Sequence, residues 1–224
     1  MNWSPIILSL ELALVTTILL FVVSVPLANW LAETKSRIKP IIESIISLPL
    51  VLPPTVLGFY LLVAFSPNNT FGNWLQETIG IQLLFSFPGL VLASMIYSLP
   101  FMVQPIQSGL ASLSLNMKES SYVLGQSKFK TLTHVLLPNI KPSILTALVL
   151  SFAHTMGEFG VVLMIGGNIP GVTKVASIAI YDEVESLNYA AAHQYALVLL
   201  LLSFGILVTV YSLNKRINLT GNHA

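Results

Sequence analysis

Residues 78–117 contain no Asp, Glu, Lys or Arg, and neither do 12–32, 44–76, 142–157, 159–173 and 186–214. Charge-free runs of that length decide the solvent before any motif is read. A helix that crosses a bilayer needs about 20 apolar residues, and nearly every one of these windows can house one. Soluble domains carry about 25% charged residues, whereas this chain is 8% charged and 54% hydrophobic. A water-soluble globule is excluded, and the expected class is all-α integral membrane, since a chain in lipid must satisfy its backbone internally. There is no cysteine, so disulfides and thiolate metal sites are excluded as well.

Five spans are expected in one transmembrane domain, 1–224, at about 8–30, 44–65, 84–106, 143–166 and 194–213. The apolar run that starts at Ile6 has no basic residue before it and is too long for a signal peptide, so it reads as a retained membrane helix. Basic residues favour cytoplasmic loops. Lys35, Arg37 and Lys39 follow the first span, Lys118, Lys128, Lys130 and Lys141 lie between the third and fourth, and Lys215 and Arg216 follow the fifth. An odd number of spans puts these nine basic residues on one side and leaves only Lys174 on the other, with the N-terminus out and the C-terminus in. The outer connection 167–193 is long and holds Asp182, Glu183 and Glu185, which suggests structure of its own. Prolines crowd the membrane segments, and the cluster Pro49, Pro53 and Pro54 reads as a helix bent to line a path, because proline removes a donor and interrupts the ladder.

The basic stretch 116–138 stands apart from this apolar setting. It reads as two short helices around a turn. Asn116 is the expected cap of the first, with Glu119 at its third helical position; Ser120 and Ser121 are small enough for close approach. Gly125 suits the left-handed residue that ends a helix. Ser127 is the expected cap of the second helix, which would run to Leu137 and stop before Pro138, with Phe129, Leu132, Val135 and Leu136 as an apolar stripe. On physics alone the stretch reads equally well as an amphipathic loop on lipid headgroups.

The spacing Glu119, Ser120, Ser121, Gly125, Val135, Leu137, Pro138 resembles the signature of ABC-importer permeases, with both usual alanines replaced by serine. "GEFG" (157–160), "GNIPG" (167–171) and "IY" (180–181) resemble the molybdate branch of the type I importers, as does "LPLVLPPTVLGFYLL" in the second span. The resemblance implies a type I permease fold in the cell membrane and a permease subunit for molybdate, with tungstate or sulfate as the alternative. It implies that 116–138 is a coupling segment whose Glu119, Ser120, Ser121, Leu124, Gly125 and Lys128 meet a cytoplasmic ATPase. It implies a second permease copy in a homodimer, two ATPase subunits that hold ATP and magnesium, and an extracytoplasmic molybdate-binding protein. Where the family usually has an Arg four residues before the Glu, this chain has His154, so the role of that Arg is not carried over.

The residues themselves point the same way. No phosphate-binding loop of the G-x-x-x-x-G-K-[ST] kind is present, so no ATP hydrolysis, no cofactor and no other enzymatic activity are expected of this chain. The four histidines, His134, His154, His193 and His223, have no metal-ligand spacing, and the last two read as interfacial or tail residues. The translocation path or gate is placed at Pro53, Pro54, Thr55, Gly58, His154, Gly157, Glu158, Phe159 and Gly160. An ionisable group inside a membrane is a functional-site hypothesis by default. Glu158 repels a dianion, so a structural or gating role is assigned to it, with His154 four residues earlier on the same helix face as a partner. With no Lys or Arg inside a span, the path is expected to use weak donors such as Ser47, Thr55, Ser94, Ser98, Ser151 and Thr155. A secondary anion transporter is the rival from another class. Inverted repeats and intramembrane coupling-ion residues would favour it; no repeat is visible, and Glu158 is the acidic candidate inside a span, Glu11 lying near the start of the first.

Overall fold

The computed structural model describes residues 2–221, without the side chains of Ile79, Tyr211 and residues 213–221. The Lys215 and Arg216 side chains and His223 therefore lie outside the described residues. Every regular element described is a helix. In chain order they are α1 (Ser4–Glu33), α2 (Lys39–Val51), α3 (Pro54–Phe65), α4 (Thr70–Trp74) with a π turn (Leu75–Ile79), α5 (Phe87–Ala111) and α6 (Leu115–Val123). There follow α7 (Lys128–Lys130), a π turn (Thr131–Leu136), α8 (Leu137–Asn139), α9 (Lys141–Met156), α10 (Gly160–Gly166), α11 (Ala176–Glu185) and α12 (Tyr189–Gly221).

Among the described residues, three helices are long and apolar enough to cross a membrane: Ser4–Glu33, Phe87–Ala111 and Tyr189–Val210. Two bent pairs bring the number of candidate spans to as many as five. α1 shows why lipid is the solvent. Its buried stripe, Ile6, Ser9, Ala13, Thr16, Leu20, Ser24, Ala28 and Leu31, follows the helical three-and-four spacing and is rich in small residues. Its opposite face, with Leu14, Ile18 and Val22 exposed, is equally apolar; a helix apolar all round is one that lies in a core or a bilayer. α5 is the hub and packs against α1, α9, α10 and α2.

Two expected spans are not single helices. The second breaks between α2 and α3, which meet at 114°. Pro53 and Pro54 supply no amide hydrogens, and Leu52 before them is held extended, at ψ 136°. The expected fourth span, 143–166, is divided into α9 and α10, because the α-helix ends at Met156 and residues 157–159 are not helical. α9 also meets the preceding helical segment at 84°, with Ile140 between them.

The ends of the bundle sort by charge. Lys118 of α6 forms an ion pair with Glu33 at the end of α1, so the first two basic groups share one end. At the other end the N-terminal segment meets the outer loop: Ala176 N donates to Ser9 Oγ (2.8 Å), and Asn2 N donates to Tyr195 Oη (3.2 Å). The outer loop has the structure expected of it, built around α11. Lys174 pairs with Asp182, whose two carboxylate oxygens also accept from Asn168 Nδ2 at 2.9 Å each.

Candidate functional site

The two breaks lie side by side. α10 packs along α3 through small residues: a Cβ placed on Gly58 would sit 2.9 Å from Met164 Cβ, and one on Gly160 would sit 2.8 Å from Pro54 Cβ. Between the breaks opens a cavity of about 570 Å³. It gathers Pro54, Thr55, His154, Gly157, Glu158, Phe159 and Gly160 from two segments far apart in sequence. Pro53 caps α3 beside it, and Gly58 is buried one turn further along α3. Sequence reasoning missed Tyr97, Ala153, Leu163 and Met164, which complete the lining. The signal available for Tyr97 was its place among Ser94 and Ser98 in an uncharged span; for the other three, apolar in apolar helices, there was none. Among the described residues, no lysine or arginine lines the cavity.

The expected pairing of His154 with Glu158 does not form. Their i, i+4 relation needs a continuous helix, and α9 stops at Met156. The His154 ring packs against Tyr97 and Phe101, with ring centroids 4.6 and 4.2 Å away. Its Nδ1 is 2.9 Å from Ser98 Oγ, which is 3.0 Å from Thr155 Oγ1. Glu158 is only 5% exposed, and neither carboxylate oxygen has a hydrogen-bond partner among the described residues. The Ser94 hydroxyl faces it without closing a bond. The Glu158 backbone is held instead, its carbonyl accepting from Ser177 Oγ at 2.6 Å.

The weak donors divide into four groups. Thr55 opens on the cavity. Ser47 accepts from Gln104 Nε2 at 3.0 Å, while Ser94 and Ser151 are buried without partners. Ser98 and Thr155 bond each other. None of these hydroxyls bonds a carbonyl of its own helix, as those of Ser9, Ser44 and Thr146 do. No cluster of three or more metal-ligating side chains occurs among the described residues.

At the basic end, α6 starts after Ser114, which makes no side-chain cap bond, so neither the Asn116 cap nor the expected position of Glu119 is realised. Asn116 and Glu119 are exposed on the first turns instead. Gly125 has the left-handed backbone expected of it, at φ +76°. Gln126 N donates to Ser121 O (3.1 Å) and Gly125 N to Tyr122 O (2.9 Å), closing the helix end. Ser127 accepts from Lys130 N at 3.3 Å, as a cap should. The helix does not stop before Pro138 but continues to Asn139; the wider π turn at Thr131–Leu136 precedes the proline and makes room where an α turn would clash with the ring.

The two serines of the signature have different surroundings. Ser121 is buried and bonds Thr131 Oγ1 at 2.9 Å, pinning α6 to the π turn. Ser120 is exposed, as are Leu124, Gly125 and Lys128. Leu132, Val135 and Leu136 pack on the core as expected, but Phe129 does not: it is 74% exposed. With Leu115, Val123 and Leu124 it leaves an apolar surface open at the basic end. At the opposite end Glu185 is exposed, while Glu183 is half-buried and accepts from Asn188 Nδ2 at 2.7 Å. There Tyr181 Oη donates to Glu185 at 2.5 Å, and that bond raises the phenol above its usual ionisation range.

Residues 22–219 match the family described as binding-protein-dependent transport system inner membrane components. The chain is 49% identical to the molybdenum transport system permease protein ModB of Azotobacter vinelandii, covering 92% of this chain and 91% of that one. It is 33% identical to ModB of Haemophilus influenzae over 83% of this chain and 81% of that one. Among solved structures it superposes on a bacterial ABC transporter involved in import of the acidic polysaccharide alginate, with a TM-score of 0.78. That match has 19% identity and covers 96% of this chain and 79% of the other; at that identity it speaks for the fold.

Proposed function

The chain belongs to the family of binding-protein-dependent transport system inner membrane components, and from that premise we propose that it is the permease subunit of an ATP-driven molybdate importer. The observation that carries the substrate is the 49% identity to a molybdenum permease along nearly the full length of both chains. The cavity chemistry agrees with that reading. A largely apolar path with the Thr55 and Tyr97 hydroxyls and one imidazole as its donors, and with no lysine or arginine among the described lining residues, lets a tetrahedral dianion pass without trapping it; a tight cationic cage would hold it.

ATP and magnesium belong to a partner ATPase in this reading, since the sequence has no phosphate-binding loop. The apolar surface of Val123, Leu124 and Phe129, framed by Glu119, Ser120, Gly125 and Lys128, is offered to that ATPase. Buried in an interface, such residues are the anchors that carry affinity. A second copy of the chain completes the pore, and Glu183 and Glu185 lie on the side from which a binding protein delivers the anion.

Reconstitution tests this. The chain with its ATPase and binding protein in proteoliposomes should accumulate molybdate only when ATP is supplied on the ATPase side. Tungstate and sulfate competition then ranks the substrates. Uphill uptake by the chain alone, driven by an ion gradient, would instead establish a secondary transporter.

A further inference from the structure

Within the importer reading, on which the following rests, we propose that His154 is the residue that contacts the anion in the cavity, acting as a neutral donor through Nε2–H, with Ser98 and Thr155 as positioning residues that set its tautomer. A hydroxyl has one proton to give, so the chain Thr155–Ser98–His154 either runs in one of two directions or has both neighbours donate to Ser98, which strands the proton of the fully buried Ser98 hydroxyl. If Nδ1 carried the proton, it would donate to Ser98 and Ser98 to Thr155. The Thr155 hydroxyl, 3% exposed and with no other partner among the described residues, would then be left with an unused proton. If Thr155 donates to Ser98 and Ser98 to Nδ1, each contact is used and no buried donor is stranded. Buried polar groups are almost always satisfied, so the second direction is the one adopted, and the ring proton sits on Nε2.

With Nδ1 engaged by Ser98, Nε2 is the ring nitrogen left to serve the cavity that His154 lines. Tyr97 and Phe101 hold the ring plane, Ser98 holds the Nδ1 edge, and the imidazole lines the cavity. Nε2 has no partner among the described residues. The neighbouring acid does not contest the place: both Glu158 oxygens are sealed from the open space. Accessible donors to a tetrahedral oxyanion are then His154 Nε2–H, the Thr55 hydroxyl and the Tyr97 hydroxyl. Of these, only the imidazole has its proton position dictated by a relay of other side chains.

The test uses the complete importer complex in proteoliposomes, with radiolabelled molybdate and with sulfate as competitor. His154→Phe keeps the aromatic stack and removes the donor. Its maximal uptake rate should fall about tenfold, the effect of one lost bond to a charged group. Half-saturation, set by the binding protein, should stay unchanged. His154→Gln, which restores a donor, should recover uptake to within about threefold. Ser98→Ala should slow uptake in the wild-type background and have no further effect in the His154→Gln background, where there is no tautomer to set. In ¹⁵N-histidine spectra of the wild-type chain, His154 should show a bare Nδ1 and a protonated Nε2. A protonated Nδ1, full-rate uptake by assembled His154→Phe, or an equal Ser98→Ala effect in both backgrounds would overturn the proposal while leaving the importer intact. A wild-type complex that hydrolyses ATP but moves no anion would overturn the importer reading and this inference together.

Discussion

At the break between α9 and α10, one methyl group separates tolerance from clash. A Cβ on Gly157 meets nothing nearer than Ala153 O at 3.7 Å, whereas one on Gly160 lies 2.8 Å from Pro54 Cβ. Gly160→Ala should therefore lower stability by about 1–3 kcal/mol, the cost of overpacking, and Gly157→Ala by much less; thermal unfolding in detergent ranks the two. Glu158→Gln keeps the shape and removes the charge. Because both carboxylate oxygens are sealed from the cavity, the change should alter uptake rate or assembly more than anion preference. A switched preference in competition assays, with normal assembly, would assign Glu158 to the substrate instead. Residue identity made Glu158 and His154 legible as intramembrane polar groups. Their partners were not legible, because the helix that would have paired them ends between them.

The elements show a graded legibility. Two consecutive prolines cannot continue a hydrogen-bond ladder, so the bend between α2 and α3 was readable from the residues at 53 and 54. The π turn before Pro138 was not, since a proline can equally end the helix before it, the expected outcome here, or be accommodated by a wider turn. Nor was the division of labour between two adjacent serines: only the packed coupling segment turns Ser121 inward to Thr131 and Ser120 outward. That clamp predicts a pattern. Ser121→Ala leaves the buried Thr131 hydroxyl unsatisfied and should cost about 1–3 kcal/mol, with less anion moved per ATP hydrolysed. Ser121→Ala combined with Thr131→Val removes both partners and should recover most of the loss. A double variant as impaired as the single one would mean that the bond is not what holds the segment.

For the molecule as a whole, the charge-sorted ends set a topology that is simple to probe, because the chain has no cysteine. Lys128→Cys should react with a membrane-impermeant thiol reagent only from the cytoplasmic side, and Glu183→Cys only from the outside. Labelling of both from one side would refute a crossing by the expected fourth span, 143–166, between them. The contact of the N-terminal segment with α11 and α12, and of Glu33 with Lys118, agrees with the grouping expected from the basic residues.

The sequence by itself determined the solvent, the helical class and the sorting of charge, since partitioning into lipid is a sum over neighbouring residues and needs no knowledge of the fold. Only the tertiary structure decided where the helices break and which groups meet there. Ser98 and His154 are 56 positions apart, and their contact depends on how α5 and α9 pack and on where α9 ends. A hydrogen bond is short and directional, so a fraction of a helical turn makes or loses it, and no local pattern records that fraction.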